Sequence, residues 1–283
     1  MTEHGYTLVS LMTRLTERDM AIVGDVHDHQ TLTTHQITRV HFPEACARRA
    51  RRRLQLLHRY GVLDRFRRYT PRGKLPDHWI LAPTGAELLA YHRHVQVSDL
   101  DFHSDQAERL GYSRQLGHIE GLAESFVRFA EAGRGPGKLV RWYGQRECAR
   151  QWGSRIRPDG YVRWRQEESV LRAFFEYDTG TEPLSKVRRK MVGYANLARH
   201  REVPSIVLFA VHSDQRAQHV ETTLAQDVSE TVGVYVTTHA QITGQGPAEA
   251  VWRVVGSSGS GDRLRLVDIA RRHPLPEQGQ GGG

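Results

Sequence analysis

Cysteine is almost absent from this sequence: 283 residues contain two, Cys46 and Cys148, far apart and each without a cysteine neighbour. That excludes a disulfide framework and a cysteine-built zinc centre, and it fits a reducing, cytoplasmic setting. Long apolar runs are also missing. None approaches the ~18–20 residues of a membrane-spanning helix. The opening stretch MTEHGYTLVSLMTRLTERD has no basic segment followed by an apolar one, so no secretory signal is expected. Acids are outnumbered, with 32 Asp and Glu against 40 Lys and Arg, giving a net charge of +8. A sequence pI near 9.8 then favours an anionic partner. Sixteen histidines scatter along the chain. The clusters HDH at 27–29 and HRH at 92–94 lack a matching carboxylate set and read as solvated positions rather than a metal site.

What is present is concentrated. Between Ala45 and Lys74 stand eleven Arg or Lys residues against one acid, Asp64. Around this block, LTERDMAIVGDVHDHQ (15–30) predicts a helix capped by Thr16, with apolar spacing at Met20, Ile22, Val23 and Val26. TLTTHQITRVHF (31–42) predicts a second helix, with Thr33 or Thr34 as N-cap. PEACARRARRRLQLLHRYGVL (43–63) predicts a third, opened by Pro43 and stopped by Gly61. Two short strand-like runs follow across the turn PRGKLP, and then the helix PTGAELLAYHRH. Three helices and a basic hairpin are the layout of a winged helix-turn-helix, whose third helix enters the DNA major groove. Arg48, Arg49, Arg51, Arg52 and Arg53 on that helix, with Arg65, Arg67, Arg68, Arg72 and Lys74 in the wing, are the candidate DNA contacts. A helix shows only part of its circumference to one groove, so some of these arginines must serve packing or phosphates instead.

Residues 95–115 are polar and weakly periodic, and read as a linker between a domain at 1–94 and another at 116–255. In the second, helices at 116–133, 183–200 and 214–229 alternate with strands at 138–144, 160–164, 170–178, 205–211, 232–238 and 250–255. This pattern predicts an α/β domain on one mixed sheet. Residues 256–283, with GSSGSGD and PLPEQGQGGG, read as a flexible linker and tail. GRGPGK at 133–138 lacks the Lys-Ser/Thr ending and the following helix of a phosphate loop.

The sharpest local pattern is FFEYDTG (174–180), where Glu176 and Asp178 end an apolar strand. Residues two apart on a strand share a face, so two acids stand together in a dry setting and need compensation. Asp159 of RPDG, in a turn before the preceding strand, can reach the same place across a hairpin. Three such carboxylates suit Mg²⁺ or Mn²⁺. Lys186 and Lys190, four apart on the next helix, could stabilise charge developing on a phosphate. Tyr143, Tyr161, Tyr177 and Tyr194 have no histidine triad beside them, which argues against a tyrosine-linked mechanism.

Taken together, LTERD, QITRVHF, ARRRLQLLHRYGVLDRF, APTGAELL, GHIEG, RPDG and FFEYDTGTEPLSKVRRKMVGY resemble the replication-relaxation family of actinobacterial plasmids and integrative elements, over most of residues 15–240. The resemblance implies a winged helix followed by a restriction-endonuclease-like α/β domain, an α+β chain overall, with a Pro-Asp then Asp/Glu-x-Lys signature. It assigns Asp159 to the first acid and Glu176 to the second. Asp178 stands where that signature has lysine, which makes Lys190 the substitute and Lys186 the reserve. His118 and Glu124, with Glu120, are further metal or water contacts on the preceding helix. The function implied is binding of double-stranded DNA at an origin-like site, as a monomer or homodimer, with Mg²⁺-dependent nicking or cleavage. The alternative is a non-catalytic DNA-binding regulator that retains a degenerate nuclease fold.

Overall fold

The computed structural model describes residues 7–43, 47–70, 73–74, 76–199, 203–225, 231–256 and 262–274. The chain divides into two compact units, Met1–Val127 and Arg128–Gly283.

The first unit opens with α1 (Leu8–Met12) and α2 (Glu17–Asp28). The predicted cap of α2 is present as a full box: the Thr16 hydroxyl accepts from the Asp19 N–H, and the Asp19 carboxylate accepts from the Thr16 N–H at 2.7 Å. β1 (Leu32–Thr33) leads into α3 (Thr34–His41), where Thr33 is the cap and Gln36 closes its box. α4 (Ala47–Arg59) ends at Gly61, whose φ of +68° favours glycine. Then follow β2 (Leu63–Phe66), the hairpin β3 (Tyr69–Thr70) and β4 (Gly73–Lys74), β5 (His78–Leu81) and α5 (Pro83–Arg93). β5 lies between β1 and β2 in a small antiparallel sheet.

Residues 95–115 are not a linker. They form a 3₁₀ turn (Val97–Leu100) and α6 (Gln106–Gly111). Leu100 is buried in the core of the first unit, and Leu110 packs with Ile80 and Ile119. Polar ties hold the segment as well: the Gln106 amide donates to the Gln30 carbonyl at 2.8 Å. The division between units falls instead within α7 (Leu116–Ala132).

The second unit continues with β6 (Gly137–Tyr143), α8 (Gln145–Trp152), β7 (Gly160–Gln166) and β8 (Ser169–Asp178). α9 (Leu184–Ala198), β9 (Ile206–Val211), α10 (Asp214–Ala225) and β10 (Gly233–Thr238) come next. α11 (His239–Gly244), β11 (Arg253–Val254) and α12 (Leu266–Arg272) complete it. The six strands form one mixed sheet in the order β11-β10-β9-β8-β7-β6. β6, β7 and β8 run antiparallel, β8, β9 and β10 parallel, and β11 antiparallel to β10. One face is closed by α9 and α10, through Val187, Met191, Tyr194, Ala217 and Val220 on Phe174, Val207 and Phe209. On the other face, Phe175 meets Phe129 and Trp142.

The expected flexible segment at 256–283 is ordered in part. Leu264 bridges Trp252, and α12 packs on β8 with Leu266, Val267, Ile269 and Ala270 buried. The glycine- and serine-rich residues 257–261, the end from 275 and Cys46 lie outside the described residues.

Candidate functional site

The basic helix α4 sorts its arginines by phase. Ala50, Leu54 and Leu57 are buried and fix the inner face. At 100° per residue, Arg48, Arg49, Arg51, Arg52 and Arg59 then fall on the outward arc, and all five are exposed. None has a carboxylate partner among the described residues. Arg53 turns inward: its Nε donates to Asp19 Oδ1 at 2.8 Å, and its Nη2 pairs with the other carboxylate oxygen. Burial would raise the Asp19 carboxyl, but Arg53 and the bonds from Thr16 hold it below its ordinary value. Arg53 therefore locks α4 to the cap of α2, unlike the outward arginines.

The wing arginines are partly committed too. Arg67 reaches Asp77 Oδ1 at 2.6 Å, and Arg65 reaches Oδ2 at 3.1 Å. Arg68 is exposed. Arg72 and the side chain of Lys74 lie outside the described residues.

In the second unit the hairpin of β7 and β8 carries the acids. Gly160 pairs with Phe175, so Asp159 arrives opposite Glu176. Its carboxylate accepts from the Tyr177 N–H and from the Gln145 amide, each at 2.9 Å. Glu176 is buried, with 3 % of its surface exposed. Lys190 comes down from α9 to within 2.5 Å of its Oε2, and the Tyr194 hydroxyl donates to Oε1. Lys190 and Tyr194 are four apart, one turn of the same helix face, alongside buried Val187 and Met191. Burial and the neighbouring charge of Asp159 push the Glu176 carboxyl up to about 7, with Lys190 and Tyr194 pulling the other way. Burial would lower the Lys190 pKa, but the charges of Glu176 and Asp159 outweigh it and hold the ammonium protonated.

Asp178 does not join this group. Arg216 of α10 donates to its Oδ2 at 2.8 Å, and the Gly180 N–H donates to its Oδ1 at 2.5 Å. Gly180 has φ +80°, and an added Cβ would strike the His212 ring, so Asp178 shapes a turn that only glycine completes. Glu176 and Asp178 share a strand face, but the first meets α9 and the second α10. Among the described residues no three His, Cys, Asp or Glu side chains are placed to hold a metal. The three-carboxylate centre expected from sequence is thus not formed: Asp178 is held by Arg216, and of the three acids Asp159 and Glu176 converge. Their mutual charge destabilisation is the kind that a divalent cation relieves.

Lys186 is exposed and lies 4.0 Å from Glu182. Glu124 accepts from Arg39 at 2.6 Å, and Glu120 from His78 at 2.5 Å, both as internal ties of the first unit. His118 lies half-buried on the same helix. Sequence reasoning missed Arg216, Gln145 and Tyr194. Only Tyr194 had a local signal, its four-residue spacing from Lys190.

A family model described as replication-relaxation matches residues 23–207, a stretch that contains α4, Asp159, Glu176 and Lys190. The chain belongs to the replication-relaxation family. A search of curated proteins returned no match. Two solved structures of the restriction endonuclease FokI show low similarity. The first covers 80 % of this chain at 13 % identity with a TM-score of 0.30. The second, FokI bound to DNA, covers 90 % at 14 % identity with a TM-score of 0.28. The chain spans 42 % and 47 % of those longer proteins.

Proposed function

We propose that this member of the replication-relaxation family docks double-stranded DNA through its first unit, in the replication or transfer of a mobile element. In this reading α2, α3 and α4 with β1, β2 and β5 act as a winged helix, α4 lying in the major groove and the β3–β4 hairpin against the backbone. One observation supports it above the rest. Among the described residues the five arginines on the outward arc of α4 lack carboxylate partners, while the inward Arg53 has one. A face serving only solubility mixes charge signs. Fluorescence anisotropy of labelled duplex DNA with the full chain tests this: salt-sensitive binding is expected, and no binding at low salt overturns it.

A second reading, phosphodiester hydrolysis in a restriction-endonuclease-like second unit, is favoured by the convergence of Asp159, Glu176 and Lys190 from three separate segments. Asp159 and Glu176 would hold Mg²⁺ or Mn²⁺. Such an ion would supply an activated water and neutralise charge on a phosphate oxygen. Lys190 would keep its proton and hold positive charge at that place, and Tyr194 would fix the orientation of Glu176. Against hydrolysis, and for a non-catalytic regulator, stands the closure of the site: both Glu176 oxygens are already satisfied inside the protein. Supercoiled plasmid incubated with Mg²⁺ or Mn²⁺ separates the two. Nicking by the wild type that disappears in Asp159→Ala and Glu176→Ala establishes hydrolysis. Intact plasmid with DNA binding preserved establishes the regulator.

A further inference from the structure

Beside Lys190 the second unit contains a cavity of about 370 Å³ that none of the assignments above uses. Its size falls within the range of small-ligand sites, roughly 300–1,000 Å³. Two segments build it. The stretch leading into Asp159 contributes Arg155 and Arg157, and α9 contributes Lys186, Arg189 and Lys190, with Glu182 at the rim. Lys186, Arg189 and Lys190 follow the three- and four-residue spacing of one helix face, so they project together.

The charge balance is lopsided, five cations against one acid. Lys186 is engaged by Glu182 at 4.0 Å and Lys190 by Glu176 at 2.5 Å. Arg155, Arg157 and Arg189 have no carboxylate partner among the described residues. Three guanidinium groups around one concavity repel one another, and an anion between them removes that repulsion. Guanidinium forks match the oxygens of phosphate in paired hydrogen bonds, and the one carboxylate of the wall, Glu182, lies against Lys186 rather than against these three arginines.

We propose that this cavity is a phosphate subsite, in which Arg155, Arg157 and Arg189 seat one phosphodiester of a DNA strand next to the Lys190 ammonium. It rests on DNA being the partner, and it adds a second contact of the strand, in the second unit. The subsite places a phosphate beside the Asp159–Glu176 pair whether or not the bond there is cut.

The test uses the full chain and isothermal titration calorimetry with a 5′-phosphorylated thymidine dinucleotide, which is too short to fill a major-groove site. Inorganic phosphate at matched ionic strength is the second arm. The wild type is expected to bind the dinucleotide more tightly than phosphate. Arg155→Gln/Arg157→Gln/Arg189→Gln should weaken dinucleotide binding roughly tenfold or more. Arg189→Glu alone, an exposed single change, should weaken it in the same direction and guards against misfolding of the triple variant. No heat with the wild type, or equal affinity in wild type and triple variant, overturns the subsite. Equal affinity for phosphate and dinucleotide overturns its assignment to a strand. Duplex binding by Arg51→Ala/Arg52→Ala reports on α4 separately. Loss there with the triple variant unaltered removes the cavity proposal alone. Retention there, with the triple variant impaired, removes the α4 reading and leaves the cavity standing.

Discussion

The Lys190 ammonium lies 2.5 Å from Glu176 Oε2, and these two residues are separated by fourteen positions, a turn and most of two helical turns. In the proposed hydrolytic reading this contact stands in for the lysine of a Glu-x-Lys pattern, a position where this chain has Asp178. A lysine from α9 reaches the same carboxylate because Val187, Met191 and Tyr194 bury the face on which Lys190 sits. Removing it should therefore be felt at Glu176 first.

Lys190→Met is expected to leave the Glu176 carboxyl without its cation, and Glu176 then takes up a proton. Breaking a buried pair costs about 3–5 kcal/mol when the remaining charge cannot be neutralised. Protonation reduces that loss here, so urea denaturation should show a smaller deficit near pH 5 than near pH 8. An equal deficit at both values would mean that Glu176 does not adjust its charge.

Glu176 also sets a slope of stability with pH. Its folded pKa, about 7, lies above the ordinary value of 4.5. The folded chain therefore binds more protons than the unfolded chain between those values, and stability falls as pH rises through that window. Glu176→Gln should flatten the slope, by an amount on the order of 3 kcal/mol across the window. Chemical denaturation at several pH values measures it, and an unchanged slope would place the titrating group elsewhere.

Asp178 is expected to behave as a structural residue. It and Arg216 are nearly buried, at 8 % and 11 % side-chain exposure. Asp178→Asn should cost roughly 3 kcal/mol by leaving Arg216 without its charge partner. Any Mn²⁺-induced rise in melting temperature should survive Asp178→Asn and vanish in Asp159→Asn. The reverse pattern would restore Asp178 as a metal ligand.

Much of this arrangement was legible in the residues. The Thr16 and Thr33 capping boxes, the alternation of strand and helix after Leu116, and the approach of Asp159 to Glu176 all follow from local chemistry. Asp178 misled because strand alternation does place it on the face of Glu176. One face of a sheet is covered by two helices, though, and a step of about 6.7 Å along the strand passes from one to the other. Residues 95–115 anchor through few apolar side chains, chiefly Leu100 and Leu110, too sparse to show a period. α12 was hidden between a glycine- and serine-rich stretch and a glycine-rich end, although its Leu-Val-x-Ile-Ala stripe is apolar. The inward turn of Arg53 could have been computed from the phase set by Ala50, Leu54 and Leu57; its partner Asp19, thirty-four residues away, could not.

Arg53→Ala is accordingly expected to act on stability rather than on DNA. It removes the lock on the α2 cap, a loss of about 1–2 kcal/mol by comparison with other cap deletions. A thermal melt should fall while the salt dependence of duplex binding stays at the wild-type value; a reduced dependence would return Arg53 to the DNA face.

The most direct measurement is the salt dependence of duplex affinity for the wild type and for Arg51→Ala/Arg52→Ala. Each phosphate contact contributes about 0.9 to the slope of log affinity against log salt. The double variant is expected to bind more weakly and to lose close to two units of slope. Unchanged affinity and slope would contradict the assignment of the outward arc of α4 to DNA.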